Sequence, residues 1–530
     1  MHLRAIAPIL LATAATLPAE DAAVAGPIAL GMGGSRIASV DDNTAAFVNP
    51  AMLGFMSRDL AEGQESFPYD NQNLADKDFG IGVMDLTATV RMHGKLADYI
   101  EQIDDIDVER LESLTPTTAD PEDLKQLVAA ASLIESYKVG SDFITADASV
   151  GLLNMRAWRI GLGVRMNAHL AAEVADIDLG NVGLSLDSGD IAQTINSVTP
   201  DGWSPSHQNS FITDPAAINS LTSAFNAANV TDNAVITEAI SKLDYAAGEA
   251  GLTQEQVDAL VAGGGLLTRL IQSSSTAQTA GNAGGLFTAN RTSVTGVAMA
   301  YAEIPIAFGY APADWISVGI SPKLLIGKVG AVKVRIAGKE DDLSDYLEDA
   351  LDDAEQTITG SIDAGVTVRW KMLQAALVGR NLTKPTFKAP TVETIGYQGA
   401  SDESSLRYFT PDDVSLSPQA TLGVAFIPWH RWVVEADMDL NPVELSLSGY
   451  EVQRANIGTR LDLWFFEPSV GISKNLAEDD IGEVVHGGVG LDLWAFRINV
   501  AGAMSLDTVE VDGSEVPREA SFGVGIDSEW

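Results

Sequence analysis

The chain contains no cysteine, which excludes thiol catalysis, disulfide exchange and metal sites built on cysteine ligands. After residue 17 it also has no apolar run near the ~20 residues that a membrane-spanning helix requires, so any membrane crossing must use strands. Positive charge is scarce, because 32 Lys and Arg stand against 73 Asp and Glu and leave a net charge of −41. This charge opposes binding to nucleic acid, whose phosphates dominate its affinity for proteins.

Catalytic motifs are absent as well. The sequence has no complete G-x-S-x-G, H-E-x-x-H, P-loop or G-x-G-x-x-G pattern. The six histidines are dispersed, and although His486 and Asp492 share one face of a predicted strand, no nucleophile is marked beside them. We therefore predict no enzyme activity, no catalytic residue, no cofactor and no metal site.

The first residues resemble an export signal. A basic start precedes the apolar stretch Ala5–Leu17, which is too short for a transmembrane anchor. Ala23 and Ala25 then offer a cleavage site for a signal peptidase. We predict a signal peptide over residues 1–25; a buried N-terminal helix is the alternative.

Strict alternation of apolar and polar residues marks the C-terminal half. In Trp432–Leu440 the even positions are apolar, whereas the odd ones include Glu435, Asp437 and Asp439. Such alternation indicates strands with one apolar face, and the polar opposite face suits a wet lumen better than a sandwich core. Candidate strands lie near 78–92, 141–156, 158–175, 291–310, 315–337, 357–370, 372–384, 416–428, 431–441, 454–466, 468–476, 483–495, 497–509 and 519–530.

Connections between these strands alternate between short and long. The short turns fall near 157, 313, 371, 429, 467 and 496, and a tryptophan lies beside every one of them. Rings of aromatic residues at a membrane interface, short periplasmic turns and long external loops are typical of outer-membrane barrels. We predict an all-β fold: a transmembrane antiparallel β-barrel of about fourteen strands, the even number expected of such barrels.

The long connections 93–140, 176–290 and 338–356 are predicted to be partly helical extracellular loops. Asp120-Pro121 is typical of a helix start, and Thr253 with Gln256 predicts a capping box for a helix through about Ile271. Because both ends of each insert return to strands, helices capping the barrel mouth are favoured over a separate domain.

Acidic residues cluster in these connections. Glu340–Glu355 has nine acidic side chains and no basic one. A solvated face is the plain interpretation, and a calcium site is the alternative. We further predict that the helices at 95–114 and 341–355 face outside, where divalent ions bridge them to lipopolysaccharide. Outer-membrane lipid and lipopolysaccharide are therefore the predicted partners; the sequence names no protein partner.

Three stretches of the sequence resemble a known family of proteins. The stretch Ala29–Ala38, then Asn43 through Asn49-Pro50-Ala51, resembles the mature N-terminus of the FadL-like superfamily of outer-membrane barrels. Gly319–Gly327 and Gly379–Phe387 also have residue patterns of this superfamily. They are most similar to the TraF-type branch, whose members are often labelled as conjugal transfer proteins. The resemblance implies a fourteen-stranded barrel, here 58–530, with residues 26–57 folded inside as a hatch.

The same resemblance implies a function and a path. Members that transport take up small hydrophobic compounds passively and release them sideways through the wall. A conjugal-transfer or other surface accessory role without transport is the alternative. Carried over to this sequence, the hatch residues along the ligand path are Gly31, Gly33, Gly34, Asn49, Pro50 and Ala51.

A lateral gate is predicted where strands 291–310 and 315–337 pair. Pro305 and Pro322 should lie close together on adjacent strands, and proline cannot donate a ladder hydrogen bond. The apolar positions change from odd to even near Ala302–Glu303, which predicts a β-bulge there. Glu303 and Lys323 could pair across the gap on the lumen side. A structural bulge that adjusts barrel curvature is the alternative.

Overall fold

The computed structural model describes residues 26–56, 72–94, 119–136, 142–175, 190–262, 265, 267–268, 271, 293–335, 346, 350–351, 354–396, 407–445, 449–511 and 514–529. The predicted signal peptide and the helix at 95–114 lie outside these residues. Of the acidic helix at 341–355, only a few residues are described, and Tyr346 and Leu351 among them pack beside the strands.

Long strands are the commonest secondary structure in the described chain. They are β1 (Phe79–Met92), β2 (Phe143–Ala157), β3 (Ile160–Ala175), β4 (Ser293–Ala313), β5 (Ile316–Arg335), β6 (Thr357–Trp370), β7 (Leu373–Arg380), β12 (Gln419–Trp429), β13 (Trp432–Asp439), β16 (Arg454–Leu461), β17 (Phe466–Asn475), β18 (Val484–Asp492), β19 (Arg497–Ser505) and β22 (Glu519–Glu529). In this order they form one closed barrel in which every neighbouring pair is antiparallel and β22 returns to β1. The predicted fourteen-stranded barrel is confirmed.

Short hairpins lie in the connections, where the sequence has no period-two alternation. They pair β8 (Thr386–Phe387) with β11 (Val414–Ser415), β9 (Val392–Glu393) with β10 (Tyr408–Phe409), β14 (Val443–Glu444) with β15 (Glu451–Val452), and β20 (Thr508–Val511) with β21 (Ser514–Pro517).

The alternation in the sequence corresponds to the two faces of the wall. On β12, Leu422, Val424 and Phe426 are exposed on the outer surface, while Thr421 and Ala425 are buried inside. The other barrel strands likewise expose large apolar side chains outward. An outer apolar band around a polar interior is the arrangement that a lipid bilayer stabilises in a β-barrel.

Tryptophans collect at the end of the barrel that carries the short turns. The exposed ones at these turns are Trp158, Trp315, Trp370, Trp429, Trp464 and Trp494. Trp432 is half-buried and donates its indole N–H to Thr459 at 3.0 Å. Trp203, the exception in the sequence, lies among helices, and Trp530 is outside the described residues.

Two of the turns, at 461–464 and 491–494, share the sequence Leu-Asp-Leu-Trp and have the same structure. Asp462 accepts a hydrogen bond from the Trp464 N–H at 2.6 Å, and Asp492 accepts one from the Trp494 N–H at 3.1 Å. Both tryptophans have positive φ, 82° and 73°. The strand predicted to continue to 466 therefore ends at Leu461, since the aspartate starts the turn there.

Helices from the first two long connections pack against one another. They are α1 (Pro121–Ser136) from the first insert and, from the second, α2 (Asp190–Ser197), α3 (Pro215–Ala227), α4 (Asn233–Glu249) and α5 (Gln254–Val261). Of these five, the sequence had singled out α1 and α5. All five share a core that includes Leu124, Phe225 and Leu260, to which no described strand residue belongs. None of the described helices is long and apolar enough to cross a membrane.

Both predicted helix starts are present, and one predicted end is wrong. Asp120 accepts from the Glu122 N–H at 2.9 Å, and Thr253 forms the capping box with Gln256. The helix predicted through about Ile271 ends at Val261, because Ala262 leaves helical geometry with ψ of 160° and glycines follow it in the sequence.

Candidate functional site

The N-terminal segment lies across the interior of the barrel. We call residues 26–56 the plug. Its first helix, Pro27–Gly31, contacts β17, β18, β19, β22 and β1, and its 3₁₀ turn, Pro50–Gly54, contacts β4, β5 and β6 on the opposite side. Contacts with both sides of the closed sheet require the plug to pass through the lumen.

Strand glycines make room for the plug. A Cβ at Gly319 would overlap the backbone of Pro50, one at Gly309 would overlap that of Gly54, and one at Gly458 would overlap that of Met32. Glycine in a strand interior often marks the close approach of another backbone. These wall glycines were the unused signal in the sequence for where the plug docks.

Two carboxylates of β13 hold the plug by its backbone. Asp437 accepts from the N–H groups of Arg36 at 2.7 Å and Ile37 at 3.1 Å. Glu435 accepts from the Ala38 N–H at 2.5 Å. Both carboxylates are buried, so they satisfy plug amides that no water could reach. The sequence marked these residues only as lumen-facing and did not single them out.

The predicted hatch residues occupy two parts of the plug. Asn49 accepts from the Ala51 N–H at 2.9 Å, in the turn that Pro50 continues, and donates to Thr367 of β6 at 2.9 Å. Gly33 and Gly34 have positive φ, 72° and 90°. Gly31 has no such φ and is needed instead for its close packing against Gly488.

Buried charges link the plug to the wall. Arg36 donates to Asp42 at 2.5 Å and to Asp41 at 3.1 Å, while Asp41 also accepts from Arg460 of β16 at 3.0 Å. Lys77, just before β1, adds a third partner for Asp41 at 3.4 Å. The plug is thus tied to the barrel through a network of opposite charges.

Protonation of this network follows from its pairing. Burial alone would raise the pKa of Asp41, but Arg460, Lys77 and Arg36 outweigh it and hold that pKa well below its usual range. Burial also acts to raise the pKa of Asp42, and Arg36 reverses the effect so that the pKa is lowered. Both carboxyls are therefore charged at neutral pH.

The wall formed by β4, β5 and β6 has three layers below the mouth. In the lowest layer Ser317 donates to Ala51 O at 2.6 Å and Ser321 donates to Ala46 O at 3.1 Å, so this part of the wall touches the plug. The middle layer is charged, and the uppermost is apolar.

The middle layer contains the predicted pair Glu303 and Lys323. The Lys323 ammonium lies 2.9 Å from the Glu303 carboxylate and 2.9 Å from Asp363 of β6, which the sequence did not single out. All three side chains are largely buried, so a lone charge left here by removing one partner would be costly.

The predicted β-bulge at Ala302–Glu303 is wrong. The pairing of β4 with β5 keeps one register from Ser293/Arg335 through Pro305/Lys323 to Phe308/Ile320. Odd-numbered residues of β4 face inward along the whole strand. The apolar residues change from odd to even positions because those up to Tyr301 belong to a covered patch inside the barrel, whereas those from Ile306 onward are exposed on its outer surface. The ladders of β4 have gaps around the two prolines, because Pro305 and Pro322 lack N–H donors, but the register is the same on both sides of each gap.

The uppermost layer is covered by the connection between β7 and β12. We call residues 385–396 and 407–416 of this connection the inner loop. Its Phe387, Val414 and Leu416 are buried against Met299 of β4 and Leu325 of β5. These wall residues stand at odd positions, on the face that carries Glu303 and Lys323, so the inner loop folds into the upper lumen.

A separate, shallow opening that is partly open to solvent lies at the mouth beside β1, β2 and β16–β18. Its charged lining comes from Arg91, Arg454, Lys474 and Glu519, and its apolar lining from aliphatic side chains such as Ile481.

One hydrogen-bonded chain crosses this mouth. His93 contacts Asp480 at 2.9 Å, and Asp480 accepts from the Tyr450 hydroxyl at 2.5 Å. Burial lowers the pKa of His93 despite Asp480, so the imidazole is neutral at neutral pH. The chain joins the end of β1 to two loops and narrows the entrance.

One protein-family model matches this chain. The sequence model of the family described as "F plasmid transfer operon, TraF, protein" matches residues 46–439. No curated protein sequence matches the chain.

Several solved barrels are similar in structure. The toluene transporter TbuX of Ralstonia pickettii is 12% identical, with a TM-score of 0.40 over 95% of this chain and 98% of its own. The toluene transporter TodX of Pseudomonas putida is 12% identical, with a TM-score of 0.38 over 95% and 97%. A FadL homologue of Pseudomonas aeruginosa is 9% identical, with a TM-score of 0.39 over 95% and 98%. At these values the likeness says nothing about substrate.

The family match is of a different kind. It extends from within the plug to the end of β13 and so includes most of the chain and more than half of the barrel strands. The TraF-type resemblance read from the sequence is thereby confirmed, and the chain belongs to the family described as F plasmid transfer operon, TraF, protein.

Proposed function

We propose that this protein is an outer-membrane channel for the passive uptake of small hydrophobic compounds, closed by its plug. The observation that carries the proposal is a plug that crosses a closed lumen without joining its sheet. The plug is held by side chains such as Asp437 and by wall glycines, so it can leave or shift without opening the barrel. A purely structural barrel would have no need of a separable plug.

We propose that compounds leave sideways beside Pro305 and Pro322. The ladders of β4 with both neighbours are interrupted here, and the outward residues Ile306 and Phe308 are exposed. Missing ladder hydrogen bonds lower the cost of separating two strands. Glu303 and Lys323 lie on the inner side of the same place and would have to separate for passage. This exit deepens the channel proposal and is tested separately from it.

The channel is tested by uptake in a strain lacking the gene. Restored uptake of a neutral hydrophobic compound by the full protein, compared with an empty vector, is the expected result. The double variant Pro305→Val with Pro322→Val should then take up less compound. Its mobility on a gel should still shift on heating, as that of an assembled barrel does. No difference between the complemented and empty strains would reject the channel; unchanged uptake in the double variant would reject only the exit.

A second candidate, an accessory role in conjugal transfer, is favoured by the family description and by the helical unit α1–α5. Five helices with their own core present a surface that a channel does not require. In a strain lacking the whole gene, plasmid transfer should be lost and hydrophobic uptake unchanged if this role is correct. Loss of uptake with normal plasmid transfer in the same strain would instead support the channel.

We propose that the tryptophan ring sits at the periplasmic interface, so that the long connections face outside towards lipopolysaccharide. The exposed tryptophans at the short-turn end support this orientation. Protease sensitivity of the long connections in intact cells, with and without chelator, tests it. Chelator should increase cleavage if divalent ions bridge the acidic segments, and equal cleavage would leave only a solvated acidic face.

A further inference from the structure

An apolar patch inside the upper lumen is covered by the chain itself. Val297, Met299 and Tyr301 of β4, with Leu325 and Val329 of β5, face inward and are buried. Apolar surface of this kind costs about 25 cal/mol per Å² when it meets water, so a lumen that fills with water must cover it. Other apolar clusters that face the described lumen, around Ile28 and Leu30, are covered by the plug.

Phe387 is the central residue of this cover. Its side chain is fully buried, and its ring centroid lies 5.5 Å from that of Tyr301 at 37°. Beside them Gly327 leaves the space that a side chain would fill: a Cβ there would lie 2.8 Å from Phe387 Cε1 and 2.5 Å from Tyr301 Cβ. The wall is therefore shaped around one flat apolar ring.

The part of the inner loop that carries Phe387 is bonded mainly to itself. Phe387 pairs with Val414 in a two-residue ladder, the Thr386 and Ser415 hydroxyls share a hydrogen bond of 2.9 Å, and Ala389 N–H donates to Asp413 at 3.0 Å. One bond to a wall strand, from Lys388 N–H to Thr357 of β6, is long at 3.4 Å, whereas Ile395, further along the inner loop, is hydrogen-bonded to the backbone of β5. Lifting this hairpin from the wall would thus cost chiefly apolar contact, which a hydrophobic ligand can replace.

The floor of the patch is polar. Glu303 stands two residues below Tyr301 on the same face of β4, and its ion pair with Lys323 separates the patch from the plug. A neutral apolar molecule gains nothing by moving into this layer, so it is held above the layer until Glu303 and Lys323 separate. The patch therefore has walls, a floor and a removable cover.

We propose that this patch is the substrate pocket of the channel and that Phe387 occupies it in place of the substrate. The ligand is a small neutral molecule with a flat apolar ring, and it binds by displacing the Phe387 hairpin. The proposal rests on the proposed channel function for its physiological meaning. Binding itself requires only the pocket, so the two can fail independently.

Binding is tested with the purified full-length barrel in amphipol and the neutral probe N-phenyl-1-naphthylamine, whose fluorescence rises in apolar surroundings. Phe387→Ala removes the competing ring and should tighten saturable binding by about tenfold, because less of the protein is in the covered state. Phe387→Leu still fills the pocket and should remain near the parent protein. Phe409→Ala, at the edge of the same cluster, is the matched control and should change binding little.

A second measurement uses the unaltered protein and guards against a variant that fails to fold. Saturating probe should increase trypsin cleavage after Lys388, which adjoins Phe387, because the hairpin leaves the wall. Equal affinities in Phe387→Ala and the parent, or cleavage at Lys388 that the probe does not change, would overturn the pocket. Probe binding as expected in a protein that restores no uptake would leave the pocket standing and reject the channel.

Discussion

The plug and the inner loop both fill the lumen, but they adhere to it differently. Around Ile28 the plug packs apolar side chains on the wall, and it adds buried carboxylates, serine hydroxyls and an arginine network. The inner loop meets the wall chiefly through Phe387, Val414 and Leu416 against aliphatic and aromatic side chains, and Ile395 adds backbone hydrogen bonds to β5. Hydrogen bonds and ion pairs are directional, whereas apolar contact is not.

Each part therefore responds to a different signal. Polar docking is lost when a charge is removed or an amide loses its acceptor, so protons and ions act on the plug. Apolar docking is lost when another apolar surface competes, so a hydrophobic ligand acts on the inner loop. A molecule entering from the mouth would meet the ligand-sensitive closure first and the charge-sensitive closure second.

Gly319→Ala is expected to have the largest effect on this comparison. The added methyl would overlap the Pro50 and Ala51 backbone, which cannot rotate away, at a cost on the order of 3 kcal/mol. The plug should become accessible to protease, while the inner loop stays protected. Single channels of the variant in a planar bilayer should conduct more than those of the parent protein. Gly360→Ala on β6 is the matched control, since its nearest neighbour would be Lys323 O at 3.5 Å. Equal conductance of both variants would contradict the docking argument.

Asp437→Ala is expected to be nearly as damaging to the plug. It leaves the Arg36 and Ile37 amides without their acceptor in a buried place, which costs about 1 to 3 kcal/mol for each group. Hydrogen exchange of the plug amides should accelerate, and that of Phe387 and Val414 should not. Asp437→Asn retains an acceptor oxygen and should exchange more slowly than the alanine variant; identical rates in the two would argue against the hydrogen bonds.

The barrel was predictable from the sequence because its physics is periodic. Alternation along strands such as Trp432–Asp439 and the tryptophan at each short turn are local signals, and they place the strands to within a few residues. The turn after Leu461 was misplaced because Leu463 and Phe465 continue the apolar alternation through the Asp462 turn.

The interior was less predictable because its contacts join distant parts of the chain. Glu303 with Lys323 could be paired by counting along one hairpin, but Asp363 joins them from the next strand. Asp437 and Phe387 meet partners 400 and 86 positions earlier, Ile37 and Tyr301, and no periodicity connects such positions. The strand glycines were the one available signal, and it tells where a backbone approaches without telling which one.

Acid should release the plug before the inner loop. Because the pKa values of Asp41 and Asp42 are lowered, their contribution to docking is complete above the usual carboxyl value of about 3.9 and is lost as pH falls towards the lower folded values. Plug proteolysis by an acid protease should therefore rise steeply below about pH 4, with Phe387 still protected. Arg36→Gln removes the shared partner and should move this rise to higher pH. A transition that does not move in the variant would show that other groups control release.

The smallest effect is expected from an ion pair of the inner loop. Like the pair in the plug it joins an arginine to a carboxylate, but it lies at the surface. Arg407 donates to Glu393 at 2.8 Å, but both side chains are more than a third exposed. Water and salt screen such a pair, so Arg407→Ala should change protease protection of the inner loop by less than about 1 kcal/mol. Loss of the buried pair of Arg36 with Asp42 in Arg36→Ala should lower protection of the plug several times more, because Asp42 is then left charged and buried.

Protease protection of both segments, measured in both variants at low and high salt, checks this prediction. A loss from Arg407→Ala that equals the loss from Arg36→Ala would mean that the inner loop also depends on charge, and the division between a polar plug and an apolar cover would fail.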